Sequence, residues 1–499
     1  AFALAVTWPA AGNIGGGGYL LVYPGQGGEP LVIDFRERAP AAASREMFVA
    51  PRDRTAYRRV GVPGTVRGLA LAHQRFGSRP WKELLAPAIH LARAGFALNH
   101  VTAASLNRVL QTSTAAEHAE LRRVFARPGG GAWQAGDRLV QKDLAHSLEL
   151  IAEGGPGAFY TGELAGLFAA EMKRGGGLIT RDDLAGYQAR AVAPIHGTYR
   201  GYDVYSVPPS SSGGICLVEM LNILENFDLR RQGRWAPETL HQMIEAMRRA
   251  YCDRARYLAD PAFVTIPAFL TSKAYARKLA AGIDPAKATP SGDLARDLPL
   301  QDEGEHTTHL SVIDRTGTAV SLTYTLEDLY GSRIVVKGAG FLLNDEMNDF
   351  NWLPGVTNRS GRIGTKPNLA APGKRMLSSQ TPTVVAREGK VVLVTGSPGG
   401  RTIINTVLCV VVNVLDFGMD ARSAVDAPRM HHQWFPDEVH LEPEFAEKHG
   451  GALKRLQEMG YTIGLPARQG DAHSILVNPR TGTFVGAADH RISGSAAGY

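Results

Sequence analysis

Cysteine is scarce: the chain of 499 residues has three, Cys216, Cys252 and Cys409, far apart and in apolar or helical surroundings. That excludes a disulfide framework, and the spacing fits no metal site, so buried free thiols are expected. Long apolar runs are also missing. Residues 402–417 come nearest, but Asn405, Asn413 and Asp416 interrupt them, which excludes a membrane-spanning helix there. No segment reads as a signal peptide. The chain opens on Ala1-Phe2-Ala3-Leu4-Ala5-Val6, which reads as the back half of a helix, so the numbering is expected to start inside a larger protein. Nor is charge of one sign concentrated anywhere. Basic residues exceed acidic ones by 54 − 48 = 6, but the two signs interleave and no basic run carries aromatics between its charges. Nucleic acid is therefore not an expected partner. Internal repeats are absent as well.

What is present suits a globular protein of one large or two ordinary domains. Residues 64–224 read mostly as helices (Thr65 to Phe76, Trp81 to Ala97, Gln141 to Glu153), followed by a strand from Tyr199 to Ser206 and a helix from Ile215 to Phe227. The serine-rich run Pro208–Gly214 before that helix reads as capping. A long helix is predicted from Ala236 to Leu258, with acidic residues early and arginines late. Residues 283–306 carry prolines and acids with little apolar pattern, which makes them the most linker-like stretch. Strands then dominate: Leu310 to Asp314, Ala319 to Thr325, Ser332 to Val336, Gly340 to Leu343, Thr383 to Ala386 and Val391 to Val394. A helix from Thr402 to Asp416 follows. This order suggests sheets layered between helices.

The chemistry centres on His306-Thr307-Thr308-His309-Leu310-Ser311. A hydroxyl residue at the start of a strand, after a cuttable loop, is what an N-terminal nucleophile requires. Once the chain is cut before Thr307, its side-chain oxygen is the nucleophile and its freed α-amine the general base. Taken alone, a Thr-Thr pair is equally an ordinary β-forming pair. Gly396-Ser397-Pro398-Gly399-Gly400 links a strand to a helix, and the N–H groups of Gly399 and Gly400 at that helix start can face a developing oxyanion. Such a turn also occurs for purely structural reasons. Gly15–Gly18 precede a strand instead of joining a strand to a helix, so they do not read as a nucleotide site. Arg36, at a strand end, is either a surface salt-bridge partner or a bidentate clamp for a carboxylate. The pair His431-His432 has no metal spacing and reads as packing or hydrogen bonding.

Several runs occur together and in order: Gly12–Gly18 with Asp34-Phe35-Arg36-Glu37, Pro208–Gly214, Thr307-Thr308-His309, Thr323-Tyr324-Thr325, and Asn344–Phe350. Leu377-Ser378-Ser379, Gly396–Gly400, Asp426-Ala427-Pro428-Arg429 and Ala497-Gly498-Tyr499 complete them. With these runs the chain resembles the γ-glutamyltransferase (γ-glutamyltranspeptidase) family of N-terminal nucleophile hydrolases over essentially its whole length. The resemblance implies an α+β fold, a four-layer αββα sandwich, made as one precursor and self-cut between His306 and Thr307. The products would be a large subunit, 1–306, with 283–306 as a flexible tail before the cut, and a small subunit, 307–499, together forming one αββα domain. It implies a γ-glutamyl ester on Thr307, formed from a donor of the glutathione class and passed to water, an amino acid or a peptide. No metal and no organic cofactor are implied.

By the same resemblance, Thr325 orients Thr307, and Gly399 and Gly400 hold the oxyanion. Arg36, Ser378 and Ser379 bind the α-carboxylate of the substrate, and Glu346 and Asp349 its α-ammonium. A periplasmic or secreted location is implied too. Two departures stand out. Glu327 occupies the place of a usual asparagine in the α-amino site, where three carboxylates would repel unless one is protonated or turned away. Ser360 aligns where many bacterial members have a gating tyrosine in the lid-like loop 353–374, which tilts the expectation toward hydrolysis. A glutaryl-accepting, cephalosporin-acylase-like amidase is the alternative activity, and an uncleaved binding protein a further one.

Overall fold

The computed structural model describes residues 1–25, 27–295, 308–478 and 480–498. His306 and Thr307 therefore lie outside the described residues. Two antiparallel sheets form the centre. In chain order their strands are β1 (Gly17–Tyr23), β2 (Leu31–Asp34), β3 (Arg190–Val192), β4 (Ile195–Tyr199), β5 (Tyr202–Ser206), β6 (Thr308–Ile313), β7 (Ala319–Thr325), β8 (Thr383–Arg387), β9 (Lys390–Thr395), β10 (His473–Val477) and β11 (Phe484–Ala488). The first sheet runs β3-β2-β1-β7-β6 and the second β11-β10-β9-β8-β5-β4.

Strand β1 shows why the sheets stack. Every residue in it is buried, and successive side chains point to opposite faces. Tyr19, Leu21 and Tyr23 pack with Val32, Val384, Ala386 and Val394 between the sheets. Leu20 and Val22 pack on the other face, with Ile33, Phe35, Leu322 and Tyr324. Buried on both faces, such a sheet needs a covering layer. Helix α1 (Thr65–Phe76) supplies it, backed by α2 (Trp81–Ala94), α3 (Lys142–Gly154) and α4 (Glu163–Gly175). The outer face of the second sheet carries α5 (Gly213–Leu224), α6 (Pro237–Tyr257) and α7 (Thr402–Leu415). All twelve residues of α5 are buried, as suits a helix enclosed on every side. The result is the layered α+β architecture, helices outside two stacked sheets.

Three local expectations need correction. The single strand expected from Tyr199 to Ser206 is a hairpin, β4 and β5, because Arg200 (φ 53°) and Gly201 (φ 81°) form a left-handed turn between them. Ser332–Val336 and Gly340–Leu343 are not strands. They meet as an irregular loop, with one bridge, Val335 to Leu342, and backbone hydrogen bonds from Ser332 to Leu343, Leu343 to Ile334 and Val336 to Phe341, since Arg333, Gly338 and Gly340 all have positive φ. The expected linker is anchored as far as it is described. Ser291 N–H donates to Asp437 (2.7 Å) and Ala288 N–H to the Met459 carbonyl (2.8 Å).

Candidate active site

The glycine-rich run before β1 acts by close approach. A Cβ on Gly16 would lie 1.9 Å from the Thr325 carbonyl, and one on Gly15 2.2 Å from that of Leu342. Only bare backbone fits there. The neighbouring Asn13 donates to the Thr325 carbonyl at 2.8 Å, so the end of β7 is held from below. Thr325 Oγ1 accepts the Glu327 N–H at 2.8 Å, and Glu327 takes a left-handed backbone (φ 76°) that turns the chain into the site.

Arg36 follows β2, and its position is set by the backbone. Its N–H donates to Asp34 (3.0 Å) and its carbonyl accepts from the Tyr187 hydroxyl (2.8 Å). The guanidinium is fully buried and touches the carboxylates of Glu346 and Asp349. Both acids come from one 3₁₀ turn, Glu346–Asp349. Asn344 holds that turn, accepting the Glu346 N–H at 3.1 Å and donating to the carbonyls of Gly15 and Gly61. Glu327, Glu346 and Asp349 bring one carboxylate oxygen each within 4.8 Å of one another. Burial raises the proton affinity of Asp349 above the usual carboxylate range, although Arg36, Arg254 and Arg401 work against it. Behind Arg36, at 3.6 Å, lies Glu37. Neither of its oxygens has a hydrogen-bond partner among the described residues, and burial pushes its pKa up to about 8.

Ser378 and Ser379 are buried on the segment leading to β8. The serine run before α5 caps that helix only through Ser211, whose Oγ accepts the Gly213 N–H at 3.2 Å, while Ser212 makes no side-chain cap. The run also clasps this segment: Ser212 N–H donates to the Ser378 carbonyl at 2.8 Å, Ser212 Oγ to the same carbonyl at 2.6 Å, and Ser211 Oγ to that of Gln380 at 2.6 Å. Past β9, Gly399 (φ 126°) and Gly400 (φ 55°) form the turn into α7. Among the described residues neither of their N–H groups meets an acceptor. The next residue, Arg401, lines a small cavity together with Asp349, Asn351, Leu377 and Arg254. It also donates to the Gly361 carbonyl at 3.0 Å, tying the 353–374 loop to the glycine turn. Ser360 sits exposed in that loop, its hydroxyl bonded to Asn358 (3.0 Å).

The structure thus brings Arg36, Glu327, Glu346 and Asp349 into direct juxtaposition. Ser378 and Ser379 join through Arg254, and Gly399–Gly400 through Arg401. His306 and Thr307 are outside the described residues; Thr308 opens β6, paired with Tyr324. The whole chain, residues 1–499, matches the model of the family described as gamma-glutamyltranspeptidase. The chain belongs to the γ-glutamyltranspeptidase family. It is 45% identical over 507 residues to the glutathione hydrolase proenzyme of Escherichia coli (strain K12), covering 100% of this chain and 86% of that one. To the glutathione hydrolase proenzyme of Pseudomonas sp. (strain A14) it is 43% identical over 518 residues, covering 100% and 88%. Among solved structures, the cephalosporin acylase from Bacillus halodurans superposes with a TM-score of 0.84 at 27% identity, over 100% of this chain and 90% of that one. These likenesses agree with the αββα layering of the family.

Other expected features fall elsewhere. The three cysteines are buried and free. His431 bonds Asn405 (2.7 Å) and Gln433 (2.9 Å), while His432 accepts from the Trp434 N–H (3.1 Å), so the pair serves packing and hydrogen bonding. Among the described residues no helix is long and apolar enough to cross a membrane. In a second cluster, Asp426, Asp489 and His490, the Asp489 carboxylate pairs with Arg429 and Arg491 and that of Asp426 with Arg422. Arg254 escaped the sequence reading. It sits late in α6 among other arginines, where nothing in the sequence separates it from a helix-end cation.

Proposed function

We propose that this member of the γ-glutamyltranspeptidase family cuts itself before Thr307 and transfers γ-glutamyl groups, from donors of the glutathione class, to water or to an amine. In the first step Thr307 Oγ attacks the His306 carbonyl, the acyl group moves from nitrogen to oxygen, and water opens the ester. The freed α-amine of Thr307 then takes the proton from its own Oγ as this oxygen attacks the γ-carbonyl of the donor. The N–H groups of Gly399 and Gly400 receive the oxyanion. The amine leaves with the proton, and a γ-glutamyl ester remains until water or an acceptor amine removes it. A periplasmic or secreted setting belongs to the same reading.

The observation that carries it is the juxtaposition of Arg36 with Glu327, Glu346 and Asp349. A γ-glutamyl group offers one carboxylate and one ammonium, and this cluster offers a partner for each. The likeness to a cephalosporin acylase favours a second reading, a glutaryl amidase. Three clustered carboxylates speak against it, because a glutaryl chain brings only negative charge. Intact mass of the purified protein beside Thr307→Ala, followed by turnover of γ-glutamyl and glutaryl anilides, tests the proposal. Two fragments parting between His306 and Thr307, an uncut variant, and preference for the γ-glutamyl donor are expected. A cut elsewhere, or preference for the glutaryl donor, overturns it.

A further inference from the structure

Arg254 is a cation of the site with a different environment from Arg36. It is 7% exposed, and no carboxylate among the described residues lies within ion-pair distance of it. Its partners are two hydroxyls: Nε donates to Ser212 Oγ at 2.9 Å and an Nη to Ser379 Oγ at 3.0 Å. A buried guanidinium is normally matched by a carboxylate. Here the side chain lines the cavity beside Asp349 and Leu377.

The direction of these bonds matters. A guanidinium can only donate, whereas a hydroxyl has one proton and two lone pairs. Arg254 therefore makes Ser379 Oγ an acceptor on that side, and its proton meets no acceptor among the described residues. Ser378 is set the same way, since its Oγ accepts the Gln380 N–H at 3.1 Å. Ser212 spends its own proton on the Ser378 carbonyl, which locks the segment that carries both serines. The outcome is two hydroxyl protons ready for an anion, with a buried positive charge behind one of them.

We infer that Arg254 is a positioning residue for the α-carboxylate of the donor: it turns Ser379 into a hydroxyl donor, fixes Ser212, and supplies the positive field that Arg36, engaged by Glu346 and Asp349, only partly provides. The inference rests on the γ-glutamyl reading above. It predicts selectivity for a carboxylate on the α-carbon, independent of the acyl chemistry at Thr307.

The test uses the self-cut enzyme and two competitive inhibitors, L-glutamate and 4-aminobutyrate, which differ by that carboxylate alone. Arg254→Met is expected to raise the KM for a γ-glutamyl anilide and the Ki for L-glutamate by about 10- to 100-fold, the scale of a charge-assisted hydrogen bond. The kcat and the Ki for 4-aminobutyrate stay within about threefold, and Arg254→Lys recovers part of the loss. Equal rises for both inhibitors, or a fall in kcat alone, overturn the inference. Should Arg254→Met remain uncut, Arg254→Lys and Ser379→Ala are compared singly and together. Losses on L-glutamate that do not add are expected, and fully additive losses overturn it. Wild-type enzyme that binds L-glutamate no better than 4-aminobutyrate would instead reject the γ-glutamyl reading itself.

Discussion

At Asp349 a single carboxylate pairs with Arg36, and under the proposed function it also faces the substrate ammonium. Replacing it by asparagine keeps the shape and removes the charge. Asp349→Asn is expected to raise the KM for a γ-glutamyl anilide by about 10- to 100-fold, with the cut before Thr307 unaffected by mass. Its titration also gives a pH dependence. Burial raises the pKa of this carboxyl, and the ionised form is the one that attracts an ammonium. Substrate KM should therefore fall as pH rises through a limb lying above the ordinary carboxylate range. The limb should vanish in Asp349→Asn, as steady-state kinetics against pH would reveal. Glu327 was recognisable in the sequence as a third carboxylate at this spot. That Arg36 would bridge the other two was not, because the bridge depends on how β2 and the 346–349 turn meet.

Among the elements, the turn between β9 and α7 is the most constrained. Gly399 has φ 126°, and a Cβ there would meet Thr402 Oγ1 at 2.6 Å and Gly470 Cα at 3.1 Å. Gly399→Ala would swing the turn and misdirect its N–H groups. A loss in kcat on the order of 10²-fold is expected, with KM little changed and the thermal midpoint lowered only modestly. A variant with undiminished kcat would remove the oxyanion role. Periodicity located most elements within a few residues, since β1, α1, α6 and α7 have strong apolar patterns. It failed where left-handed residues intervene, at Arg200–Gly201 and across 333–340, because an apolar pattern carries no sign of φ. The serine run before α5 was legible as a cap, which Ser211 supplies, but not as a clasp, because its other partners, Ser378 and Gln380, lie more than 160 residues away.

Over the whole molecule, each sheet takes strands from both sides of position 307: β1, β2 and β3 with β6 and β7, and β4 and β5 with β8 to β11. Neither part can complete a sheet alone. A buried charge network also joins α6 to segments on both sides of position 307. Glu245 on α6 pairs with Arg248 (3.2 Å) and Arg249, and accepts from the Tyr461 hydroxyl (2.9 Å) and the Thr289 N–H (3.2 Å). Burial pushes its pKa up, but the two arginines overcome this and bring it down to about 2. The folded protein thus holds fewer protons here than the unfolded chain, so this contribution to stability is present above the ordinary carboxylate pKa and is lost as pH falls toward about 2. Glu245→Gln, which leaves the buried Arg249 without a carboxylate while Arg248 keeps Asp437, should cost about 3–5 kcal/mol at neutral pH. It should also abolish that part of the acid sensitivity. Urea unfolding in the uncut Thr307→Ala background, at several pH values, would measure both.

The layered class, most of the elements, the family, and the identities of the charged and hydroxyl residues gathered at the site were all legible along the chain. These follow from apolar periodicity, glycine placement and ordered motifs, all of which are local along the chain. Which groups face each other came from the folded chain alone: Arg36 between two carboxylates, the Ser210–Ser212 run clasping Ser378–Gln380, and Arg254 behind Ser379. Such pairings join residues more than a hundred positions apart, and their geometry is set by sheet register and helix packing, which no local pattern encodes.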